Sequence, residues 1–148
     1  EAGTGGPLLW NGSAAVPGRR VNANILAVGF GTSVVTTAAV ALGFTGGYGQ
    51  TAAPTTTTAI DSTSCLLVND SASRCTAYRI GTTGTNRFFM PFAQVHTGAL
   101  TVDTTGIQWV NVEGLITVPP DSFVSLAASA TGSTLVMHAS LIWEEVPE

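Results

Sequence analysis

Between Thr134 and Val146 apolar and small side chains recur on every second residue: Leu135, Met137, Ala139, Leu141 and Trp143 share one parity. Alternate residues of an extended chain point to the same face, so this stretch predicts a β-strand with one wholly apolar face. The other parity, Thr134, Val136, His138, Ser140, Ile142 and Glu144, is too apolar for a plain solvent face and too polar for a core. That mixture predicts contact with a neighbouring subunit. No stretch of the chain shows a sustained apolar stripe at helical spacing, so the apolar face of Trp143 must be covered by more sheet.

Upstream, Phe123 to Ala130 places Val124, Leu126 and Ala128 on one face, and the Ala-Thr-Gly-Ser link at 130–133 has hairpin chemistry. These two strands are expected to pair. Val118-Pro119-Pro120-Asp121-Ser122 removes two backbone donors and must end the strand Leu115 to Val118. Earlier, Arg20 to Val28 alternates with Val21, Ala23, Ile25 and Ala27 on one face. The Gly29 to Ser33 centre reads as a turn into the strand Val34 to Phe44, making a hairpin, and Gly43 to Thr58 has loop composition. Ser64 to Val68, Thr76 to Ile80, Arg87 to Phe92, Val95 to Val102 and Ile107 to Val112 complete the expected strands.

Short strands with Gly, Pro and Asp-rich turns predict an all-β fold, an antiparallel β-sandwich with jelly-roll connections. An immunoglobulin-like sandwich fits less well, because the Cys65 to Cys75 spacing is too short for an inter-sheet disulfide and encloses no Trp. Residues 1–17, with Gly3, Gly5, Gly6 and Pro7, read as an extended N-terminal arm. Leu8, Leu9 and Trp10 would be its apolar anchor, on a neighbour or on the end of its own core. Residues 18–148 are the sandwich domain.

Composition excludes several functions. Hydrophobic residues make up 45% of the chain and charged ones only 9%, where about 25% charged is usual. A formal charge of -4, with no basic cluster beyond Arg19-Arg20, argues against binding nucleic acid through its phosphates. Ile25 to Phe44 is uncharged and long enough to cross a bilayer, but its glycines, serines and threonines favour strands over a membrane helix. Glu1 to Gly6 has neither the positive region nor the apolar core of a signal peptide.

Catalytic patterns are missing: there is no G-x-S-x-G, no H-E-x-x-H and no P-loop. His96 and His138, with Glu113 or Asp103, would need to converge to bind metal or move protons. A histidine alone in a sheet is more often a packed residue with a satisfied ring. Glu144 and Glu145 point to opposite faces of one strand, so they are not a paired-carboxylate site and are expected to be solvated rim charges. The expectation is therefore a non-enzymatic chain with no cofactor and no metal. Cys65 and Cys75 either form a disulfide that restrains the loop between them or remain free thiols. Asn11-Gly12-Ser13 and Asn69-Asp70-Ser71 match the N-glycosylation pattern, which is too short to carry weight.

The segments VPPDSFVSLAA (Val118 to Ala128) and SLIWEEVP (Ser140 to Pro147) resemble the C-terminal end of small β-rich structural proteins of tailed bacteriophages, jelly-roll capsid accessories. The resemblance covers the last third of the chain. It implies a capsid decoration or cement protein, a homotrimer on the virion surface that binds the major capsid protein and reinforces the shell. It brings no catalytic residues. A pilus or surface-fibre subunit, extracellular and assembled by strand addition from the arm, fits the same composition. A carbohydrate-binding jelly roll would use Trp10, Tyr48 or Trp109 on an exposed face. The residues expected at an interface are Leu8, Leu9, Trp10, Val136, His138 and Ile142.

Overall fold

A computed structural model describes residues 5–15, 18, 20–34, 40–49, 59–60, 73–78, 88–95, 108–113, 115–129 and 136–148. They form ten strands: β1 (Gly5–Asn11), β2 (Val21–Val34), β3 (Val40–Gly47), β4 (Ala59–Ile60), β5 (Cys75–Tyr78), β6 (Phe88–Val95), β7 (Gln108–Asn111), β8 (Thr117–Val118), β9 (Ser122–Ser129) and β10 (Val136–Pro147). One turn of 3-10 helix, Ser13–Ala15, is the only helical element among them.

The strands make two antiparallel sheets. One has the order β4-β5-β1-β9-β3-β6; the other runs β10-β2-β7, with β8 also paired to β2. The fold is an all-β sandwich, because residues from both sheets share one core. Leu9, Phe44, Val124 and Leu126 of the first sheet meet Val21, Ala23, Ile25, Val28 and Val118 of the second. Phe92 of β6 bridges the layers, its ring centroid 5.3 Å from Phe30 of β2 and 4.9 Å from Phe44 of β3. Tilted aromatic pairs at this spacing add to area burial alone.

Several expected connections differ. β9 does not pair with β10: it lies between β1 and β3, while β10 pairs with β2 in the opposite sheet. The two strands therefore belong to different sheets and do not form a hairpin pair. Likewise β2 and β3 belong to different sheets, and β2 runs unbroken through Gly29-Phe30-Gly31. The glycine there serves packing. A Cβ at Gly29 would lie 3.0 to 3.1 Å from three contiguous atoms of the Trp109 benzo ring, so the indole rests flat on bare backbone. β3 also continues past Phe44, burying Thr45, Gly46 and Gly47 where a loop was expected.

The parity of β2 changes midway. Val21, Ala23 and Ile25 point inward, then Val28 and Phe30 do, and Ala27 turns out of the core face. Trp143 pairs with Ile25 and Ile142 with Ala27, which leaves Leu26 as an extra residue on β2. Such a bulge shifts every later side chain by one place.

Over residues 5–11 the expected arm is a strand of the sandwich itself. Residues 5–11 are strand β1, hydrogen-bonded to β5 on one side and β9 on the other, in the interior of their own sheet. Leu9 faces the shared core, while Leu8 and Trp10 join Phe123 in a second buried cluster on the opposite face, with Tyr78 packed against it. The three anchor residues are covered by their own chain. Residues 1–4, 16 and 17 of the expected arm lie outside the described set.

Candidate interaction surface

The outer face of the smaller sheet can be read from its registers. Ser140, Gly29 and Trp109 form one row across β10, β2 and β7; Ile142, Ala27 and Asn111 form the next; Glu144, Asn24 and Thr117 form a third. Ser140, Ile142, Glu144 and Val146 of β10 are all exposed, whereas Ala139, Leu141, Trp143 and Glu145 are half-buried. This is the alternation expected of a strand with one face on the core.

Three large apolar side chains stand out on this face: Trp109 is 55% exposed, Ile142 46% and Val146 42%. Leu115, in the turn between β7 and β8, is more exposed still. The polar groups between them are bonded to one another, with Asn24 Nδ2 donating to Glu144 Oε1 at 3.1 Å and Thr117 Oγ1 donating to Asn24 Oδ1 at 3.0 Å. Glu144 is the single charged group in the three rows. The face is thus mostly neutral and partly apolar.

Of the expected interface residues, Ile142 is exposed on this face. Val136 and His138 lie on the same strand, at register positions opposite Val34 and Gly31. Leu8, Leu9 and Trp10 are elsewhere, inside the molecule. Tyr48, at the end of β3, is exposed. Among the described residues no three His, Cys, Asp or Glu side chains converge as metal ligands; Glu113 is exposed, and His96 and Asp103 lie outside the described residues.

Behind the face, Glu145 points inward and holds the two sheets together. Its carboxylate accepts hydrogen bonds from the backbone N–H of Arg74 at 2.9 Å, the N–H of Cys75 at 3.2 Å, the Ser73 hydroxyl and Trp143 Nε1 at 3.4 Å. Burial by itself would raise this carboxyl, but the bonds from Ser73, Arg74, Cys75 and Trp143 together outweigh it and hold it below the ordinary carboxylate range. The neighbouring Cys75 thiol is pushed far up, first by burial and then by the Glu145 charge, and so stays protonated. Cys75 is a free, buried cysteine; its proposed partner Cys65 lies outside the described residues. Sequence reading took Glu145 for a solvated charge, since partners 70 to 72 residues away leave no local signal.

A second polar node sits at the same end of the sandwich. Asn11, fully buried, donates both Nδ2 protons, to Val21 O at 2.7 Å and Val118 O at 2.8 Å, while its Oδ1 accepts from Ser13 N. Its backbone carbonyl accepts from Asp121 N at 2.8 Å. The side chain of the Asn11-Gly12-Ser13 pattern is therefore enclosed and used, and is not open to a glycan in the folded protein; Asn69 lies outside the described residues. Compared with protein-family models, curated proteins and solved structures, the chain shows no match.

Proposed function

We propose that this chain is a structural subunit, a capsid decoration or cement protein that binds the major capsid protein on the virion exterior as a homo-oligomer. The observation that carries the reading is the outer face of the smaller sheet. It is a nearly uncharged surface bearing Trp109 of β7 together with Ile142 and Val146 of β10, a strand whose other side packs on the core. Exposed apolar groups gathered on one face mark an interaction surface, and a neutral one suits contact with a fixed partner better than recruitment by charge. In this reading the protein performs no catalysis and takes no cofactor. The resemblance of Val118 to Ala128 and Ser140 to Pro147 to phage capsid accessories points the same way. The sheet order β1-β9-β3-β6 opposite β2-β7 supports the jelly-roll form of the sandwich, since β1, β2 and β3 alternate between the two layers and the late strand β9 returns to lie between β1 and β3.

The trimer that the resemblance implies is one closed arrangement of such subunits. The fibre-subunit alternative loses its donor strand, because β1 is already paired on both edges. A glycan-binding module is favoured by one observation, the free outer side of the Trp109 indole beside Asn111. Electron microscopy of the native source labelled with an antibody against this chain separates these readings. Label on the outside of icosahedral particles is the expected result; labelled filaments, or label on isolated oligomers alone, would overturn it.

A further inference from the structure

Among the described residues, every sheet edge but one is blunted. β4 and β8 have two residues each and β7 has four. β6 has eight, but contains Pro91, which has no N–H to donate. Its register against β3 also shifts between Leu42–Ala93 and Gly43–Pro91, leaving Phe92 as an extra residue on the edge strand. Short length, proline and an edge bulge are the usual devices that stop a sheet from adding a strand.

β10 has none of these before Pro147. Both register shifts against β2 leave the extra residue on β2, at Ser33 and Leu26, so β10 runs regularly over its twelve residues. There is no Lys on it, nor anywhere in the chain. Its inward row, Ala139, Leu141 and Trp143, is only half-covered, while Val21, Ala23, Ile25 and Val28 of β2 beside it are fully buried. An open edge of backbone donors and acceptors is satisfied by another extended strand.

We propose that β10 pairs antiparallel with β10 of a second copy of this chain, about a two-fold axis at Leu141, joining the two smaller sheets into one. The proposal rests on the homo-oligomer reading above and names its contact. The strand's own charges select this occupant and register. With Leu141 on the axis, Ser140 faces Ile142, Ala139 faces Trp143, and Glu144 faces His138, the one residue of β10 able to carry positive charge. An axis nearer the C-terminal end would set Glu144 and Glu145 against their own copies, and like charges directly opposite destabilise a strand pair.

Light scattering of the full chain at micromolar concentration and neutral pH should give twice the mass of one chain. Ser140→Lys with Ile142→Lys, both at exposed positions, sets lysines against each other on either side of the axis. The mass should then halve while the far-ultraviolet circular dichroism stays unchanged. A second measurement stands even if that variant misfolds. In a Cys65→Ser background, Ser140→Cys protein mixed with Ile142→Cys protein should form a disulfide-linked dimer on oxidation, and neither should do so alone, since diagonal neighbours lie about 7–8 Å apart and beyond disulfide reach. A wild-type monomer would overturn both this contact and the homo-oligomer reading. A trimer, which two-fold pairing cannot close, or an oligomer unmoved by the lysines, would overturn the edge pairing alone. Cross-linking of Ser140→Cys by itself would overturn the register.

Discussion

Asn11 shows how much one side chain holds. It ends β1, and its two amide protons reach the first residue of β2 and the last residue of β8, so one amide pins both the β1-to-β2 and the β8-to-β9 crossings between the sheets. Asp121, at φ 59, makes the second crossing possible by turning the chain directly after Pro119-Pro120 and donating its N–H to Asn11 O. Truncation in Asn11→Ala takes the amide donor from the Val118 carbonyl and the acceptor from the Ser13 N–H, and leaves the Val21 carbonyl only the 3.4 Å bond from Ser13 Oγ; each orphaned buried group costs about 1–3 kcal/mol. The expected loss is about 3 kcal/mol or more, read as a lowered urea midpoint with an unchanged slope. Gly46 is a steric counterpart. A Cβ there would fall 2.4 Å from the Phe123 carbonyl oxygen, so Gly46→Ala must part β3 from β9 and should lower the thermal midpoint, although Ala is the less flexible residue in the unfolded chain.

At the scale of elements, β10 was the most legible strand because its period-two pattern is unbroken, and the parity that sent Trp143 inward and Ile142 outward holds in the structure. Trp143 packs against the main core but remains half-buried on an edge strand. Trp143→Ala is therefore expected to cost about 2–3 kcal/mol, below the roughly 3–5 kcal/mol of a fully enclosed aromatic. Glu144→Ala, on the exposed face, should move the thermal midpoint little; equal effects from the two would mean that the inward and outward faces are exchanged. β1 was misread because its leading glycines and proline suggested an arm. The run Leu8-Leu9-Trp10 carried the contrary signal, since consecutive apolar residues bounded by turn residues also describe a strand buried on both faces. β2 was cut short for a similar reason: Gly29-Phe30-Gly31 looks like a turn until Trp109, some eighty residues on, is seen lying across it. The exposed half of the candidate surface was thus readable from alternation within strands, while the pairing that assembles its rows was not, because register between distant strands leaves no trace in either one.

For the molecule as a whole, the two layers are joined differently along their length. Phe30, Phe44 and Phe92 meet between the sheets by packing alone, whereas the end near Asn11 and Cys75 is held by polar groups, with Glu145 as its only described charge inside the layers. That charge makes this end sensitive to acid. In the unfolded chain Glu145 should titrate near the ordinary value of about 4.3, and in the folded protein it titrates lower. Its contribution is then complete above the unfolded value and disappears as pH falls through the folded one, when the carboxyl takes up a proton and the N–H groups of Arg74 and Cys75 lose a charged acceptor. Hydrogen bonds to a charged group are worth about 1.5–3 kcal/mol, and partial exposure of Glu145 reduces this to about 1–2 kcal/mol. Glu145→Gln should accordingly be less stable than wild type by that amount at pH 7. Because it cannot titrate, its stability should fall less steeply below about pH 5, so that urea midpoints of the two proteins converge in acid. Parallel pH profiles would show that the carboxylate's charge is not what joins β10 to β5; curves that converge in acid with Glu145→Gln but not with Glu144→Gln would assign the acid sensitivity of the sandwich to this one inward-facing side chain.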